Sequence, residues 1–278
     1  MSEPSSVTAA LQYVVTPAHG ERLFRYTSSD HAQGGRLTNI EREEHNVQIE
    51  NLRGKESAAT LDSHGFQFFR RPAKHREFRV DEDIQKEYYL ESEHLIKELT
   101  GASKVVFFDH TIRRRNPELN GDDPQNRQPA AGVHVDQTSP AAVARVHRHL
   151  PAADVPRLLE KRFQIINLWR PISHPAYDWP LALCDYRSID PKNDLIPVAL
   201  IYPDKEGETY SVKYNPNHRW KYVRGLEPDE GVLIKCFDSV QDGSVAVLTP
   251  HTAFEDPSTP KDAPYRQSIE LRALVFYD

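Results

Sequence analysis

Gly132-Val133-His134-Val135-Asp136-Gln137 is the stretch from which the rest of the chain is read. Its alternation of apolar and polar residues marks a short β-type run. In a strand, residues i and i+2 face the same way. His134 and Asp136 therefore present an imidazole and a carboxylate on one side of one strand. Alone, His-x-Asp is short enough to arise by chance. Its plain reading is a partly buried histidine bonded to a loop carboxylate. A polar pair facing inward from an apolar strand needs a partner, however, and a metal cation supplies one.

His251 lies 117 residues downstream, after the apolar run Val245-Ala246-Val247-Leu248-Thr249-Pro250. A turn histidine at a strand end is one reading. A jelly roll, which brings distant strands side by side, gives the other. The C-terminal stretch discriminates between them. Arg266, Ser268, Glu270 and Arg272 share one parity, and Ile269, Leu271, Ala273 and Val275 share the other. The polar line is either a solvated face or the wall of a pocket. In a pocket Arg266 grips a carboxylate in a fork, Ser268 adds a hydroxyl, and Glu270 pairs with Arg272. Two histidines and one carboxylate with open positions are the ligand set of non-haem Fe(II) oxygenases.

The totals narrow the class. A chain of 278 residues suits one large all-β domain with additions. A formal net charge of -6 excludes a general basic surface for nucleic acid. With 38% hydrophobic residues there is enough apolar material for a sizeable core. The only two cysteines, Cys184 and Cys236, are too far apart in sequence for a metal motif, and a reducing cytoplasm fits them. Residues 1–6 lack the basic and apolar regions of a signal peptide, and no apolar run is long enough for a bilayer. The expectation is a cytoplasmic protein with a small-molecule substrate and neither nucleic acid nor membrane as partner.

Along the chain, residues 1–10 are expected to fray, 11–15 to form a strand, and 19–44 to run over the surface. A strand is expected at 47–50 and an extended piece from 65 to 69. Ile84, Tyr88, Leu95 and Leu99 repeat on one face of a helix over 82–99, with Asp81 as cap and Gly101 after its end. A buried strand over 104–108 leads into Asp109-His110-Thr111 and the basic run Arg113-Arg114-Arg115. The loop 116–131 precedes the His134 strand and is read as part of a lid. A helix over 139–149 carries Pro140 in its first turn, and a short one covers 154–162. Strands follow at 164–169, 181–185, 196–202, 210–214, 219–223, 232–237, 245–249 and 268–277. Turn signals at Glu206-Gly207, Pro216-Asn217 and Asp242-Gly243 separate several of them. Many short, punctuated strands argue for a sandwich or barrel. The fold expected is mainly β with added helices around a double-stranded β-helix (jelly roll, cupin-like) core. It forms a single domain over 1–278, with an N-terminal extension 1–60, helix and strand additions 61–131 and the jelly-roll core 132–278.

Further residues compete for the site. Asn167 and Trp169 share a strand face, and Arg170 takes the other. They either line the pocket or pack as core. His110 and Arg113 face an anionic substrate or belong to a solvated basic run. His147 and His149 sit two apart on a helix and diverge. Asp109-His110 and Asp185 are alternative ligands without an Arg-x-Ser neighbour.

Together, His134-x-Asp136, His251 and Arg266-x-Ser268 resemble the metal and cosubstrate signature of Fe(II)/2-oxoglutarate-dependent dioxygenases, including the 15-residue step from His251 to Arg266. More narrowly, Leu61-Asp62-x-His64-Gly65-Phe66, Asp109-His110-Thr111-x-Arg113-Arg114, Asn167-Leu168-Trp169-Arg170-Pro171, Pro180-Leu181-Ala182-Leu183-Cys184-Asp185 and Pro250-His251-Thr252-Ala253-Phe254 are similar to the asaB-type hydroxylase/desaturase subfamily. That group includes gibberellin-desaturase-like and cephamycin-methoxylase-subunit-like proteins. The likeness covers roughly residues 60–278. It implies Fe(II) on His134, Asp136 and His251, and 2-oxoglutarate and O2 as cosubstrates, with Arg266 and Ser268 on the far carboxylate. It also implies hydroxylation, desaturation or oxidative cyclisation at a C–H bond of a small secondary-metabolism substrate. Asn167, Trp169, Arg170, His110, Arg113 and Arg272 are the candidate substrate contacts. The rivals are a cupin-like metalloenzyme independent of 2-oxoglutarate and a non-catalytic accessory subunit of the same fold.

Overall fold

Fourteen strands carry the architecture of the computed structural model, which describes residues 4–28, 30, 32, 35–119 and 127–278, apart from the His19 side chain. They are β1 (Ser6–Val14), β2 (Leu23–Tyr26), β3 (Arg42–Asn51), β4 (Phe66–Arg70), β5 (Lys104–Arg114), β6 (His134–Val135) and β7 (Phe163–Pro171). These are followed by β8 (Leu181–Cys184), β9 (Leu195–Ile201), β10 (Glu206–Val212), β11 (Trp220–Tyr222), β12 (Glu230–Asp238), β13 (His251–Ala253) and β14 (Gln267–Phe276). Nine strands form one sheet in the order β1-β3-β11-β8-β13-β6-β10-β9-β2, and five form a second in the order β4-β12-β7-β14-β5. Apart from the consecutive pair β9 and β10, neighbours in the order come from separate parts of the sequence, as in a jelly roll.

The period-2 pattern of β14 sets the relation between the sheets. Ile269, Leu271, Ala273 and Val275 join Ile166 and Leu168 of β7 in a cluster with Ile84, Tyr88, Leu95 and Ile96. The helical segment covering that outer face comprises Asp81–Asp83, a π-helical turn Ile84–Tyr88 and the helix Tyr89–Thr100. Its end is set by Gly101, at φ 73°, whose N–H donates to the Lys97 carbonyl. The opposite parity of β14 must then face the nine-stranded sheet, polar groups included. A second cluster, with Phe66, Ile165, Trp169, Leu183, Ile234 and Leu274, fills the space between the sheets.

Several expectations need correction. Residues 6–10 do not fray: β1 pairs antiparallel with β3 from Ser6↔Glu50 to Val14↔Arg42. Its small residues mask an alternation in which Val7, Ala9, Leu11 and Tyr13 are buried. Residues 1–3 lie outside the description, as do 120–126, so the lid reading of the 116–131 loop falls partly outside it. Asp81 is the first helical residue and not the cap. Thr138 caps the helix Ser139–His149 through its hydroxyl, which accepts from the Ala141 N–H. The expected helix over 154–162 is shorter, at Val155–Leu159. Glu206-Gly207 opens β10 and is not a turn. Residues 245–249 form no strand. The Ala246 N–H bonds to the Asp62 carbonyl and the Thr249 hydroxyl to the Gly65 carbonyl, so this run is tied to the 61–65 turn instead of a ladder.

β1 and β3 of the 1–60 segment extend the nine-stranded sheet, and β4 and β5 of the 61–131 segment belong to the five-stranded one. No helix among the described residues is long and apolar enough to cross a membrane.

Candidate metal centre

β6 and β13 are neighbours, and His134 pairs directly with His251. Their rings lie 4.4 Å apart between centroids, tilted by 53°. Each ring is oriented from behind. Nδ1 of His134 bonds the Gly132 carbonyl at 2.8 Å, and Nδ1 of His251 bonds the Thr249 carbonyl at 3.0 Å. A carbonyl only accepts, so both Nδ1 atoms carry a proton and Nε2 is the nitrogen each ring can offer a cation. Burial, then the neighbouring His134, lowers the His251 pKa to about 4, so its imidazole is neutral at physiological pH.

Asp136 follows β6 and turns the same way. Its Oδ1 lies 3.4 Å from His134 Nε2. One ligand atom each from His134, Asp136 and His251 lie within 4.8 Å of one another, and this is the only such group of three or more among the described residues. Burial pushes the Asp136 carboxyl up, but Arg272 and the two histidines outweigh it and hold the group well below the usual carboxylate range. The set is therefore two imidazole nitrogens and one anionic oxygen.

The facing sheet supplies the rest. Asn167 on β7 and Arg272 on β14 are register partners, and both bond the Asp136 carboxylate. Arg272 also bonds Glu270, Asp109 and Thr111. Burial alone would lower its pKa, but those carboxylates raise it well above the ordinary value. Arg266 and Ser268 are buried on the same face of the same line. The Arg266 guanidinium lies 5.6 Å over the Trp169 ring and donates through NH1 to the Trp179 carbonyl. Its buried Nε has no partner, and no carboxylate ion-pairs with it among the described residues. Burial, then the charge of Arg113, lowers its pKa to about 9. Arg113 is the register partner of Ser268 and donates to the Gln128 carbonyl.

Two expected contacts are elsewhere. Arg170 has the outward parity of β7. It bonds the Arg71 and Pro228 carbonyls and stacks over Phe69 and Tyr88. His110, partner of Leu271 on the outer parity of β5, bonds the Tyr89 hydroxyl and meets Asp81. Neither joins the cluster, because period 2 sends each to the opposite side from its neighbour. Sequence reasoning missed Asp109 as a partner of Arg272. It also missed Arg145, whose guanidinium lies 4.8 Å over Phe108, beside the stacked ring of His149. The i, i+4 spacing of Arg145 and His149 was the available signal.

A jelly roll with two imidazoles and one carboxylate on neighbouring strands, backed by a buried cationic wall, defines a class: mononuclear non-haem metal proteins of the double-stranded β-helix type. The comparisons with known proteins specify it. A family model described as "Oxidoreductase/YMDC permease-like domain" matches residues 11–276. The chain is 34% identical to the Fe(II)/2-oxoglutarate-dependent dioxygenase nvfI of Aspergillus novofumigatus, over 94% of each protein. It is 35% identical to the hydroxylase/desaturase efuI of Hormonema carpetanum, over 84% of this chain and 83% of that one. The solved structure of the iron and alpha-ketoglutarate-dependent endoperoxidase NvfI superposes with a TM-score of 0.85 at 30% identity, covering 99% of both chains. The chain belongs to the Fe(II)/2-oxoglutarate-dependent dioxygenases, in the asaB-type hydroxylase/desaturase subfamily. It is an oxidoreductase that uses Fe(II), 2-oxoglutarate and O2 on a small molecule.

Proposed function

We propose that His134, Asp136 and His251 are the Fe(II) ligands and that Arg266 and Ser268 hold the distal carboxylate of 2-oxoglutarate. The observation that carries the reading is the convergence of the three ligand atoms within 4.8 Å. The cosubstrate assignment is supported by the orphaned Nε of Arg266, a buried donor on a cation with no carboxylate of its own among the described residues. A dicarboxylate supplies the missing anion in a fork.

When bound, Fe(II) with 2-oxoglutarate and O2, the oxidant, would supply the chemistry that removes hydrogen from a substrate C–H bond. The chain contributes orientation and exclusion of water. The two Nδ1–carbonyl bonds fix which nitrogen each imidazole offers. Trp169 gives the Arg266 guanidinium an aromatic floor. Arg113 and Trp169, of the inward parity, line the chamber for substrate, while Asn167 and Arg272 act on Asp136. Position of the C–H bond decides between hydroxylation, desaturation and ring closure. A secondary-metabolism substrate is supported by the company of relatives such as the Aspirochlorine biosynthesis protein N of Aspergillus oryzae. The whole chain, 1–278, acts as one dioxygenase domain, without a nucleic-acid or membrane partner. Two buried free thiols, Cys184 and Cys236, support a cytoplasmic setting.

The test is succinate release from 2-oxoglutarate under air with Fe(II) and ascorbate. The wild-type chain is expected to release succinate, and His134→Ala and Asp136→Ala to release none above background. Undiminished release by both variants overturns the ligand assignment.

A further inference from the structure

We infer that Asn167 and Arg272 are positioning residues that hold Asp136 by its Oδ2 atom, so that a divalent cation is offered one carboxylate oxygen, Oδ1, and not two. The inference rests on the reading of His134, Asp136 and His251 as the ligands.

The two oxygens of Asp136 have different surroundings. Asn167 Nδ2 donates to Oδ2 at 2.6 Å, and Arg272 Nε donates to the same atom at 3.0 Å. Oδ1 instead lies toward His134 Nε2. An oxygen accepting two donors has both lone pairs engaged. Turning Oδ2 onto a cation breaks a neutral hydrogen bond and a charge-assisted one together.

Both donors come from the five-stranded sheet, whereas Asp136 ends a strand of the nine-stranded one. The carboxylate is thus held across the sandwich, from the wall opposite its own strand. Arg272 is not free to turn elsewhere. Its remaining donors reach Glu270 at 2.5 Å, and Asp109 and Thr111 at 3.1 Å each. That commitment removes it from the substrate contacts expected of it and makes it a fixed fork.

Asn167 carries a second sign. Its Oδ1 is buried and has no hydrogen-bond partner. An asparagine kept only for packing does not leave an acceptor unmet in a core. Reversing the amide would aim Oδ1 at the Asp136 carboxylate, so the observed orientation is the one the anion requires.

The experiment uses the full chain with Mn(II) and Co(II) as probe ions. Asn167→Leu keeps about the same volume and has no donor. Arg272→Lys keeps the charge beside Glu270 and Asp109 and lacks Nε. Three readouts are taken: melting of the metal-free protein, Mn(II) affinity by electron paramagnetic resonance, and the ligand-field absorption of the Co(II) form. Asn167→Leu is expected to melt within a few degrees of wild type. Its Mn(II) affinity is expected to fall about 10- to 100-fold, with altered Co(II) bands as the second carboxylate oxygen becomes available. Arg272→Lys is expected to show the same losses, and it decides the matter if Asn167→Leu does not fold. Mn(II) affinities within about twofold of wild type and unchanged Co(II) bands overturn the inference, as does failure of both variants to fold without metal. A wild-type chain that takes up no Mn(II), or equally well after His251→Ala, refutes the ligand set instead.

Discussion

His134 and His251 each bond, through Nδ1, the carbonyl two residues before them. Both imidazoles are therefore set by the segments leading into their strands before any ion arrives. Arg266 is a different kind of residue, a cation taken into the core whose guanidinium has no carboxylate partner among the described residues, Asp178 reaching only its backbone N–H. If its anion is the cosubstrate, Arg266→Ala removes a charge-assisted bond worth about 1.5–3 kcal/mol. The 2-oxoglutarate concentration for half-maximal succinate release should rise about 10- to 100-fold, with Mn(II) affinity unchanged. An unaltered requirement would place the distal carboxylate elsewhere. The polar line Arg266, Ser268, Glu270 and Arg272 was readable because strand parity is a local property. The bonds from Asn167 and Arg272 to Asp136 were not, since they span 31 and 136 residues and depend on how the sheets face. Arg170 and His110 show the converse. A chemically apt side chain one position out of parity faces the wrong side of its sheet.

At the scale of elements, the 61–65 turn illustrates how a recognisable phrase acquires its meaning. Gly65 has φ 91°, and a Cβ there would lie 2.8 Å from the Leu248 carbonyl oxygen. The turn thus lies hard against the segment leading into β13. Asp62 in the same turn bonds Lys235 and Arg162, and both cations bond Asp238 at the end of β12. Lys235 and Asp238 are completely buried. Burial pushes the Asp238 carboxyl up, but Arg162 and Lys235 outweigh it and hold the group below its usual range. Because the folded pKa is depressed, the stability this group contributes is present above the unfolded carboxylate pKa of about 4. It is lost as pH falls through the folded value.

Asp238→Asn removes the buried carboxylate of Lys235 and leaves it only the half-exposed Asp62, and should cost about 3–5 kcal/mol in denaturant unfolding at pH 7. The variant should also lose less stability than wild type on acidification below about pH 4. A loss under about 1 kcal/mol at pH 7 would show that the network is not a structural support. The sequence revealed the helix Tyr89–Thr100 and most strands of the five-stranded sheet through strong apolar periodicity. The starts of β1 and β3 were obscured by alanines and charged residues, which form strands here because their partners hold them. The run 245–249 is apolar enough for a strand, yet its backbone partners are in a turn.

For the whole molecule, we propose that the nine-stranded sheet brings His134, Asp136 and His251 to one divalent ion, while the five-stranded sheet holds Asp136 from the opposite wall and supplies Arg266 and Ser268 for the cosubstrate. The jelly-roll class was legible from the number and punctuation of the strands, and the grouping of His134, Asp136 and His251 from residue chemistry. The use of the N-terminal segments as sheet strands needed the complete topology. The most direct measurement is anaerobic calorimetric titration of 2-oxoglutarate into the chain, with and without Mn(II). The account predicts one Mn(II) per chain and 2-oxoglutarate binding that is tight only with the metal present, with both lost in Asp136→Ala. Equal 2-oxoglutarate binding to the metal-free protein, or an Asp136→Ala variant that still takes up the metal and cosubstrate like wild type, would contradict it.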